Sequence, residues 1–317
     1  MGATLITGGS GFLGNYLAKA LVEQGEEVIW MYSSNSQLLP YVQEVEDKIT
    51  KVRGDLSNWY DVIDPIVKYN VTKIFHSGAL LSHVAEQNPQ KGFEVNLLGT
   101  WYVLEAARMF NIEQVMFVST VASFGDYISD PVPNTATQYP HTMYGVTKVS
   151  SERLGEYYCR KYNVDFRGVR LPSVIGPGRG PGGVSAYSTL IVETPAKGEP
   201  YEVFVEEKSR MPMLYVKDAV KCLLQLSQAN ENKLNYRMYN IQGFSPSAGE
   251  MVEEIQKNLP NAQITFKPED QMVKIVDSWP DELDDSEAKK DWGWDPDYKL
   301  ENTIKDFIQE VQQQYRA

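Results

Sequence analysis

Cysteine, histidine and long apolar runs are all scarce in this sequence. Two cysteines, Cys159 and Cys222, are too few for a disulfide framework, which predicts a reducing location, the cytoplasm. The cysteines and the three histidines match neither the Cys-x-x-Cys nor the His-Glu-x-x-His spacing, so no metal is expected. No apolar run approaches about 18 residues, and the first residues lack the pattern of a signal peptide, so no membrane segment is predicted.

Positive charge is also in deficit. Thirty Lys and Arg residues stand against 42 Asp and Glu residues, which gives a formal net charge of −12. Because no basic stretch could neutralise a run of phosphates, neither nucleic acid nor an anionic membrane is an expected partner. The expected partner is a small-molecule substrate. At 317 residues, of which 42% are hydrophobic, the chain is long enough for about two domains with a large core.

Short apolar runs alternate with amphipathic stretches through the first 170 residues. Runs rich in Val and Ile, each followed by a helical period, are typical of βαβ units. The predicted fold class is therefore α/β, a Rossmann-type doubly wound parallel sheet with helices on both faces. The predicted strands are 3–7, 27–31, 49–53, 73–76, 114–118 and 165–169, and the helices between them are 12–24, 37–47, 58–70, 91–110 and 143–162.

Beyond residue 170 this regular alternation ends. Glycine and proline crowd residues 172–195, which predicts loops that carry specificity. We predict a dinucleotide-binding domain at 1–170, to which 217–243 returns, and a smaller α/β substrate-binding region at 171–216 and 244–317. The later elements are predicted as helices at 217–229, after Ser247, at 287–291 and at 300–314, and as strands at 238–242 and 264–267.

Three glycines punctuate the turn between the first strand and the first helix. Gly8, Gly11 and Gly14 permit a tight turn, a close approach of backbone to a pyrophosphate and close packing of the helix on the strand. The free N–H groups at the start of that helix favour phosphate. The pattern predicts a dinucleotide site. Ser10, Phe12 and Leu13 lie in the same turn and are candidates with it.

The end of the second strand holds the adenosine ribose in such folds. Here it offers Tyr32, Ser33 and Ser34, with neither a carboxylate for a 2′-hydroxyl nor an arginine for a 2′-phosphate. Hydroxyl groups can donate hydrogen bonds to a 2′-hydroxyl or to a 2′-phosphate, so the cofactor can be NAD or NADP. Asp55, just past the third strand, is a candidate for the adenine end, and a loop cap is the alternative.

Tyr144 and Lys148 lie four residues apart, on one face of a predicted helix. A cation at that distance stabilises phenolate and is predicted to lower the tyrosine pKa, as a general base for an alcohol requires. Two other Tyr–Lys pairs share the spacing but lie late in a helix or across its end. Tyr144 instead follows the fifth strand, at the end of which Thr120 stands, on the sheet edge where ligands bind. A buried hydroxyl network is the alternative reading.

Together these motifs resemble the extended short-chain dehydrogenases/reductases, the NAD-dependent epimerase/dehydratase family, across essentially the whole chain. The resemblance implies that Thr120 polarises the substrate oxygen and that Tyr144 exchanges its proton. It also implies that Lys148 lowers the tyrosine pKa and binds the nicotinamide ribose, that Asn96 supports the proton path, and that NAD is favoured. Leu56, Gly78 and Pro172 join the implied cofactor site. The matching segments are 7–14, 54–56, 95–100, 119–125, 144–148 and 170–172.

Within that family, the second half resembles the short-chain type of L-threonine 3-dehydrogenases, on residues 209–215, 243–245, 277–280 and 284–294. The resemblance implies NAD(P)-dependent oxidation of L-threonine, or of a similar small hydroxy acid, to the 3-oxo product. It also implies a homodimer, formed through the helix with Trp101 and the helix with Tyr144. The implied substrate residues are Ser82, Thr120, Ser185 and Trp279, and His141 is a further candidate from its place before Tyr144.

Val184, Ser185 and His141 depart from the threonine dehydrogenase pattern, so another hydroxy compound stays open. The alternative enzyme is a nucleotide-sugar epimerase or dehydratase that keeps NAD tightly bound. A catalytically silent dinucleotide-binding redox sensor is a third reading, from a different class.

Three further polar residues lie outside these predicted sites. His76 is predicted to be a satisfied core histidine. Arg179 and Arg210 are read either as partners of an anionic group or as solvated loop charges.

Overall fold

The computed structural model describes residues 2–34, 38–125 and 128–315. The strands are β1 (Ala3–Thr7), β2 (Val28–Tyr32), β3 (Ile49–Arg53), β4 (Val71–His76), β5 (Gln114–Thr120), β6 (Phe166–Leu171), β7 (Ser173–Ile175), β8 (Tyr201–Val203), β9 (Met213–Tyr215), β10 (Met238–Asn240) and β11 (Ile264–Phe266). The helices are α1 (Phe12–Glu23), α2 (Trp59–Lys68), α3 (Ser82–Gln87), α4 (Pro89–Gly92), α5 (Gly99–Met109), α6 (Met143–Tyr162), α7 (Tyr187–Ala196), α8 (Val216–Gln228), α9 (Ala248–Asn258), α10 (Asp270–Val276), α11 (Ser286–Trp292) and α12 (Leu300–Tyr315).

A seven-stranded parallel sheet organises the molecule, in the order β10-β6-β5-β4-β1-β2-β3. The predicted Rossmann-type fold is thereby confirmed. The strand order reverses between β1 and β4, where Thr7 pairs with His76 in register. A crevice opens at such a reversal, outside the carboxyl ends of the strands, and ligands bind there.

Apolar side chains cover both faces of the sheet. On one face, α1 and α8 contribute to a cluster that continues into α7, α9 and α12, so residues 171–216 and 244–317 share a core with the sheet. On the other face, α2, α5 and α6 contribute to a second cluster. Each helix buries one apolar stripe, as the sequence period predicts. None of the helices in the described ranges is long and apolar enough to cross a bilayer.

Two predicted helices differ from the observed elements. The stretch predicted at 37–47 is a 3₁₀ helix at Pro40–Lys48, and Gln37 lies outside the described residues. The helix predicted at 91–110 begins with α4 and passes through a π-helical segment, Phe93–Leu98, before α5. Such wide turns cluster at functional sites, and this one carries Asn96.

The prediction of loops alone between residues 172 and 195 was wrong. Helix α7 occupies Tyr187–Ala196, with Tyr187 and Ile191 fully buried. Pro195 and several β-branched residues weaken its helical signal in the sequence, and burial against the core outweighs that weakness. The predicted helix start at Ser247 is confirmed, since the Ser247 hydroxyl accepts from Glu250 N–H at 3.1 Å and the Glu250 carboxylate accepts from Ser247 N–H at 2.6 Å.

Candidate active site

The glycine-rich turn lies against the segment that follows β4. Gly8 has φ of +69°, and a Cβ there would stand 2.6 Å from Gly78 Cα. A Cβ on Gly14 would stand 2.4 Å from the Gly8 carbonyl, to which Gly11 N–H donates at 2.9 Å. Side chains are therefore excluded here. No side chain of the described residues caps the start of α1, so its N–H groups are available to a phosphate.

Asn15 is a residue of this turn that the sequence reading missed. It is fully buried, and its amide donates to the carbonyls of Gly11 at 2.9 Å and Gly9 at 3.3 Å. A polar residue on the buried face of an amphipathic helix was the available signal. Ser10, Phe12 and Leu13 are half-buried at the same turn.

The residues predicted for the adenosine end lie along the ends of β2 and β3. Tyr32 is half-buried, and Ser33 and Ser34 are exposed. The Asp55 carboxylate accepts from the Ser57 N–H and hydroxyl, each at 2.8 Å, and from Lys91 Nζ at 3.1 Å. Burial acts to raise the pKa of Asp55, but these hydrogen bonds and the Lys91 charge hold that pKa below its ordinary value. Asp55 thus caps its own loop, and its contact with adenine stays a prediction.

Thr120, Tyr144 and Lys148 come together at the carboxyl end of β5. The Tyr144 hydroxyl is hydrogen-bonded to Thr120, whose Oγ1 also accepts from Ala122 N–H at 3.2 Å. Lys148 is 4% exposed, and its Nζ donates to the Val118 carbonyl at 2.7 Å and lies 5.7 Å from the centre of the Tyr144 ring. The hydroxyl groups of Thr120 and Tyr144 therefore form a hydrogen-bonded pair next to the buried amine of Lys148.

Burial dominates the electrostatics of this pair. It raises the pKa of Tyr144 to about 12, and the hydrogen bond to Thr120 only partly opposes it. It lowers the pKa of Lys148 to about 8, against the favourable charge of Glu152. The predicted lowering of the Tyr144 pKa is therefore wrong for this structure, because desolvation outweighs a cation that donates to Val118 rather than to the phenol.

A buried ion pair that the sequence reading missed lies beneath these residues. Glu152 is fully buried and pairs with Arg170 at 2.8 Å. The Ser119 hydroxyl, next to Thr120, donates to the same carboxylate at 2.5 Å. The spacing from Tyr144 to Lys148 to Glu152, four residues each, was the available signal, since it sets all three on one helix face.

Asn96 joins the chain after β4 to helix α6. Its side-chain oxygen accepts from Leu80 N–H at 2.7 Å, and its amide donates to the Leu80 carbonyl at 2.9 Å and to Thr147 Oγ1 at 3.3 Å. His76 is 1% exposed with both ring nitrogens hydrogen-bonded, so the prediction of a satisfied core histidine is confirmed.

Besides Thr120, the predicted substrate residues come from four separate segments. Ser82 begins α3, which packs against α6, and His141 is exposed before α6 with its ring edge-on to Tyr139. Trp279 follows α10, which packs against the 3₁₀ turn Val184–Ala186 that carries Ser185.

The two loop arginines differ. The Arg179 guanidinium donates to Ser185 Oγ at 2.7 Å and to the Ser185 carbonyl at 2.9 Å, and burial lowers the pKa of Arg179 to about 10. No carboxylate of the described residues lies within ion-pairing distance of it. Arg210 instead pairs with Glu250 at 2.9 Å. The reading as a solvated charge is wrong for Arg179, which is partly buried.

Comparison with known proteins gives L-threonine dehydrogenases and also an uncharacterised epimerase/dehydratase of Staphylococcus aureus, which is 31% identical over 98% of this chain and 96% of that protein. The mitochondrial L-threonine 3-dehydrogenase of Bos taurus is 33% identical over 311 residues, which are 96% of this chain and 81% of that protein. A solved L-threonine dehydrogenase from Clostridium difficile is 32% identical, with a TM-score of 0.92 over 99% of this chain and 98% of that one. The holo form of an L-threonine dehydrogenase from Cupriavidus necator is 30% identical, with a TM-score of 0.90 over 98% of this chain and 99% of that one.

The family model described as "NAD dependent epimerase/dehydratase family" matches residues 4–241, which include the glycine-rich turn and the Thr120–Tyr144–Lys148 group. The chain belongs to the NAD-dependent epimerase/dehydratase family, as the sequence resemblance predicted.

Proposed function

We propose that this protein is a nicotinamide-dinucleotide-dependent dehydrogenase that oxidises the 3-hydroxyl of L-threonine, or of a similarly small hydroxy acid. The observation that carries the proposal is the hydrogen-bonded pair of Thr120 and Tyr144 beside buried Lys148, on the same sheet edge as Gly8 and Gly78. Several of the similar relatives and solved structures are L-threonine dehydrogenases by name, which supports the same substrate.

The residues act on one hydroxyl group. Thr120 donates a hydrogen bond to the substrate oxygen and orients it toward Tyr144. Tyr144 takes the hydroxyl proton as the carbonyl forms, which requires its phenolate form. Because burial raises the pKa of Tyr144 to about 12 in this structure, this role requires the Lys148 ammonium to turn from the Val118 carbonyl toward the phenol and stabilise the phenolate. When bound, the dinucleotide supplies the acceptor for the hydride that leaves C3. Threonine loses one proton and one hydride and becomes 2-amino-3-oxobutyrate.

Asn96 and Glu152 act as positioning residues. Asn96 connects the chain after β4, which leads to Ser82, to α6 through two hydrogen bonds with Leu80 and one to Thr147. Glu152 adds negative charge to the helix face that carries Lys148 and so favours the charged amine.

The charge of the substrate-side region supports an amino acid over a nucleotide sugar. Of the described arginines in 171–216 and 244–317, Arg179 alone has no carboxylate partner, since Arg210 is paired with Glu250. One guanidinium held at Ser185 suits a single carboxylate. A nucleoside diphosphate carries more negative charge than the single Arg179 guanidinium neutralises. We propose that Arg179 binds the substrate carboxylate, with Ser82, His141, Ser185 and Trp279 around the amino acid.

We also propose that the chain forms a homodimer through α5 and α6. A surface groove of about 580 Å³ between them is lined mainly by apolar side chains, with Phe93 and Trp101 at its exposed side. A second copy of the same helices would cover these side chains. The domain division at 171–216 and 244–317 and the cytoplasmic location remain predictions, the latter supported by the free thiols of Cys159 and Cys222.

A substrate panel tests the enzyme assignment. Purified protein is mixed with NAD or NADP and with L-threonine, other hydroxy acids or nucleotide sugars, and nicotinamide reduction is followed by absorbance. Threonine-dependent reduction supports the proposal. Consumption of a nucleotide sugar alone, with no net reduction, would instead establish the epimerase alternative.

A further inference from the structure

Arginine in this acidic protein is almost always paired with a carboxylate. Nine of the arginines lie in the described residues, and seven of them form ion pairs there; these are Arg108, Arg153, Arg160, Arg167, Arg170, Arg210 and Arg237. The two others are Arg53 and Arg179. Arg179 lies in the predicted substrate-binding region at 171–216. Arg53 lies on β3, which is an edge strand of the seven-stranded sheet.

Arg53 reaches across the end of the neighbouring strand. It is the last residue of β3 and pairs in register with Tyr32, the last residue of β2. Gly54 N–H donates to the Tyr32 carbonyl at 2.9 Å, which keeps the two strands together to their ends. The Arg53 Nε then donates to the Ser33 carbonyl at 3.4 Å. The exposed Arg53 side chain thus lies at the end of β2, where the adenosine ribose of a dinucleotide lies in this fold.

The surroundings of Arg53 leave its charge uncompensated. Ser33 and Ser34 supply exposed hydroxyls where an NAD-binding chain of this fold places a carboxylate. The nearby acid on the same edge, Asp55, is already paired with Lys91 at 3.1 Å. No carboxylate of the described residues lies within ion-pairing distance of the Arg53 guanidinium, and beside two hydroxyls it presents donors that match a phosphate.

We propose that Arg53, Ser33 and Ser34 form a subsite for the 2′-phosphate of the cofactor, so that this chain binds NADP(H) more tightly than NAD(H). No arginine stands in the residues that directly follow β2, because Arg53 comes from the adjacent strand. The inference rests on the dinucleotide site at Gly8–Gly14 that belongs to the proposed function, and it makes Arg53 the specificity-determining residue of that site.

Direct binding tests the subsite without requiring turnover. The affinities of NADPH, NADH, 2′,5′-ADP and ADP are measured by calorimetry at one fixed ionic strength. The wild-type protein is compared with Arg53→Gln and with Lys51→Gln. Lys51 is the matched control, because it lies on the same strand, carries the same charge and is already paired with Glu46. A Ser33→Asp variant introduces the missing carboxylate.

The wild type is expected to bind NADPH at least about tenfold more tightly than NADH, and 2′,5′-ADP more tightly than ADP. Arg53→Gln should remove that preference by weakening NADPH about 10- to 100-fold with NADH unchanged, Lys51→Gln should keep it, and Ser33→Asp should reverse it. Equal or tighter binding of NADH by the wild type, or an equal loss of both cofactors in Arg53→Gln, overturns the subsite alone. Failure of the wild type to bind either cofactor overturns the proposed function as well.

Discussion

His76 Nδ1 lies 2.7 Å from the hydroxyl of Thr7, on the strand that leads into the glycine-rich turn. The Thr100 hydroxyl lies 2.9 Å from His76 Nε2 and donates its own proton to the Asn96 carbonyl at 2.6 Å. Because Thr100 has a single proton to give, Nε2 must carry the hydrogen and Nδ1 must accept from Thr7. A neutral imidazole thus connects the end of β1 to the segment that carries Asn96.

Acid should destabilise the protein through His76. Burial, with the Lys148 charge adding to it, lowers the pKa of His76 from its ordinary value of 6.5 to about 3. Between those values the unfolded chain binds a proton that the folded chain does not. The stabilisation is therefore fully present above pH 6.5 and is lost as the pH falls toward 3. We expect His76 to account for a loss of about 2 kcal/mol in the free energy of unfolding between pH 7 and pH 5.

Urea unfolding at the two pH values measures this loss. His76→Gln, which keeps a donor and an acceptor without a titrating ring, should shrink the difference between pH 7 and pH 5. His83→Gln removes an exposed imidazole and should behave as the wild type. The same pH dependence in the wild type and in His76→Gln would contradict the assignment.

Replacing Tyr144 by Phe should abolish turnover and spare cofactor binding. The ring and its packing remain, whereas the oxygen that exchanges the proton is lost, which for general acid–base catalysis costs about 10²–10⁴-fold in kcat. Threonine-dependent nicotinamide reduction and a cofactor titration check both halves. Tyr157→Phe, an exposed tyrosine of the same helix, is the control. Unchanged turnover would remove Tyr144 from the mechanism, and a wild type that binds cofactor but oxidises nothing would favour the silent-sensor reading.

Replacing Arg179 by Gln should raise KM for L-threonine about 100-fold, since a charged partner of the substrate carboxylate is lost. The KM for the cofactor should not change. Steady-state kinetics with threonine and with threonine amide, which lacks the carboxylate, separate a binding role from a structural one. The amide should respond little to the substitution. An equal loss with both substrates would show that Arg179 supports only the fold of the loop at Ser185.

A glutamate at Trp101 should prevent dimer formation. Trp101 is 39% exposed beside the groove between α5 and α6, and burying a charge in an apolar interface is costly. Sedimentation of the wild type should give a dimer and that of Trp101→Glu a monomer. Tyr60→Glu changes an aromatic residue on α2 that is 74% exposed and should leave the dimer intact. A monomeric wild type at micromolar concentration would reject this interface.

Local patterns were enough to predict much of the fold. The alternation of apolar runs with helical periods predicted the parallel sheet, and the serine and glutamate at positions 247 and 250 predicted a helix start that the structure confirms. These succeed because strand period, helix period and capping depend on residues close together in the chain. Helix α7 was missed because its β-branched residues and Pro195 hide a helix that only packing stabilises.

The candidate site, like the fold, has features that the sequence predicts and features that depend on tertiary contacts. The sequence by itself determined which groups are present: the glycines of the turn, the Tyr144–Lys148 spacing on one helix and the lack of an acid after β2. Only the tertiary structure decided how those groups behave. Arg53 at the end of β3 donates a hydrogen bond to Ser33, which follows β2. Lys148 is buried, as are Glu152 and Arg170. Burial and long-range contacts set the pKa of a side chain and the charge around it, and neither can be read from neighbours in sequence.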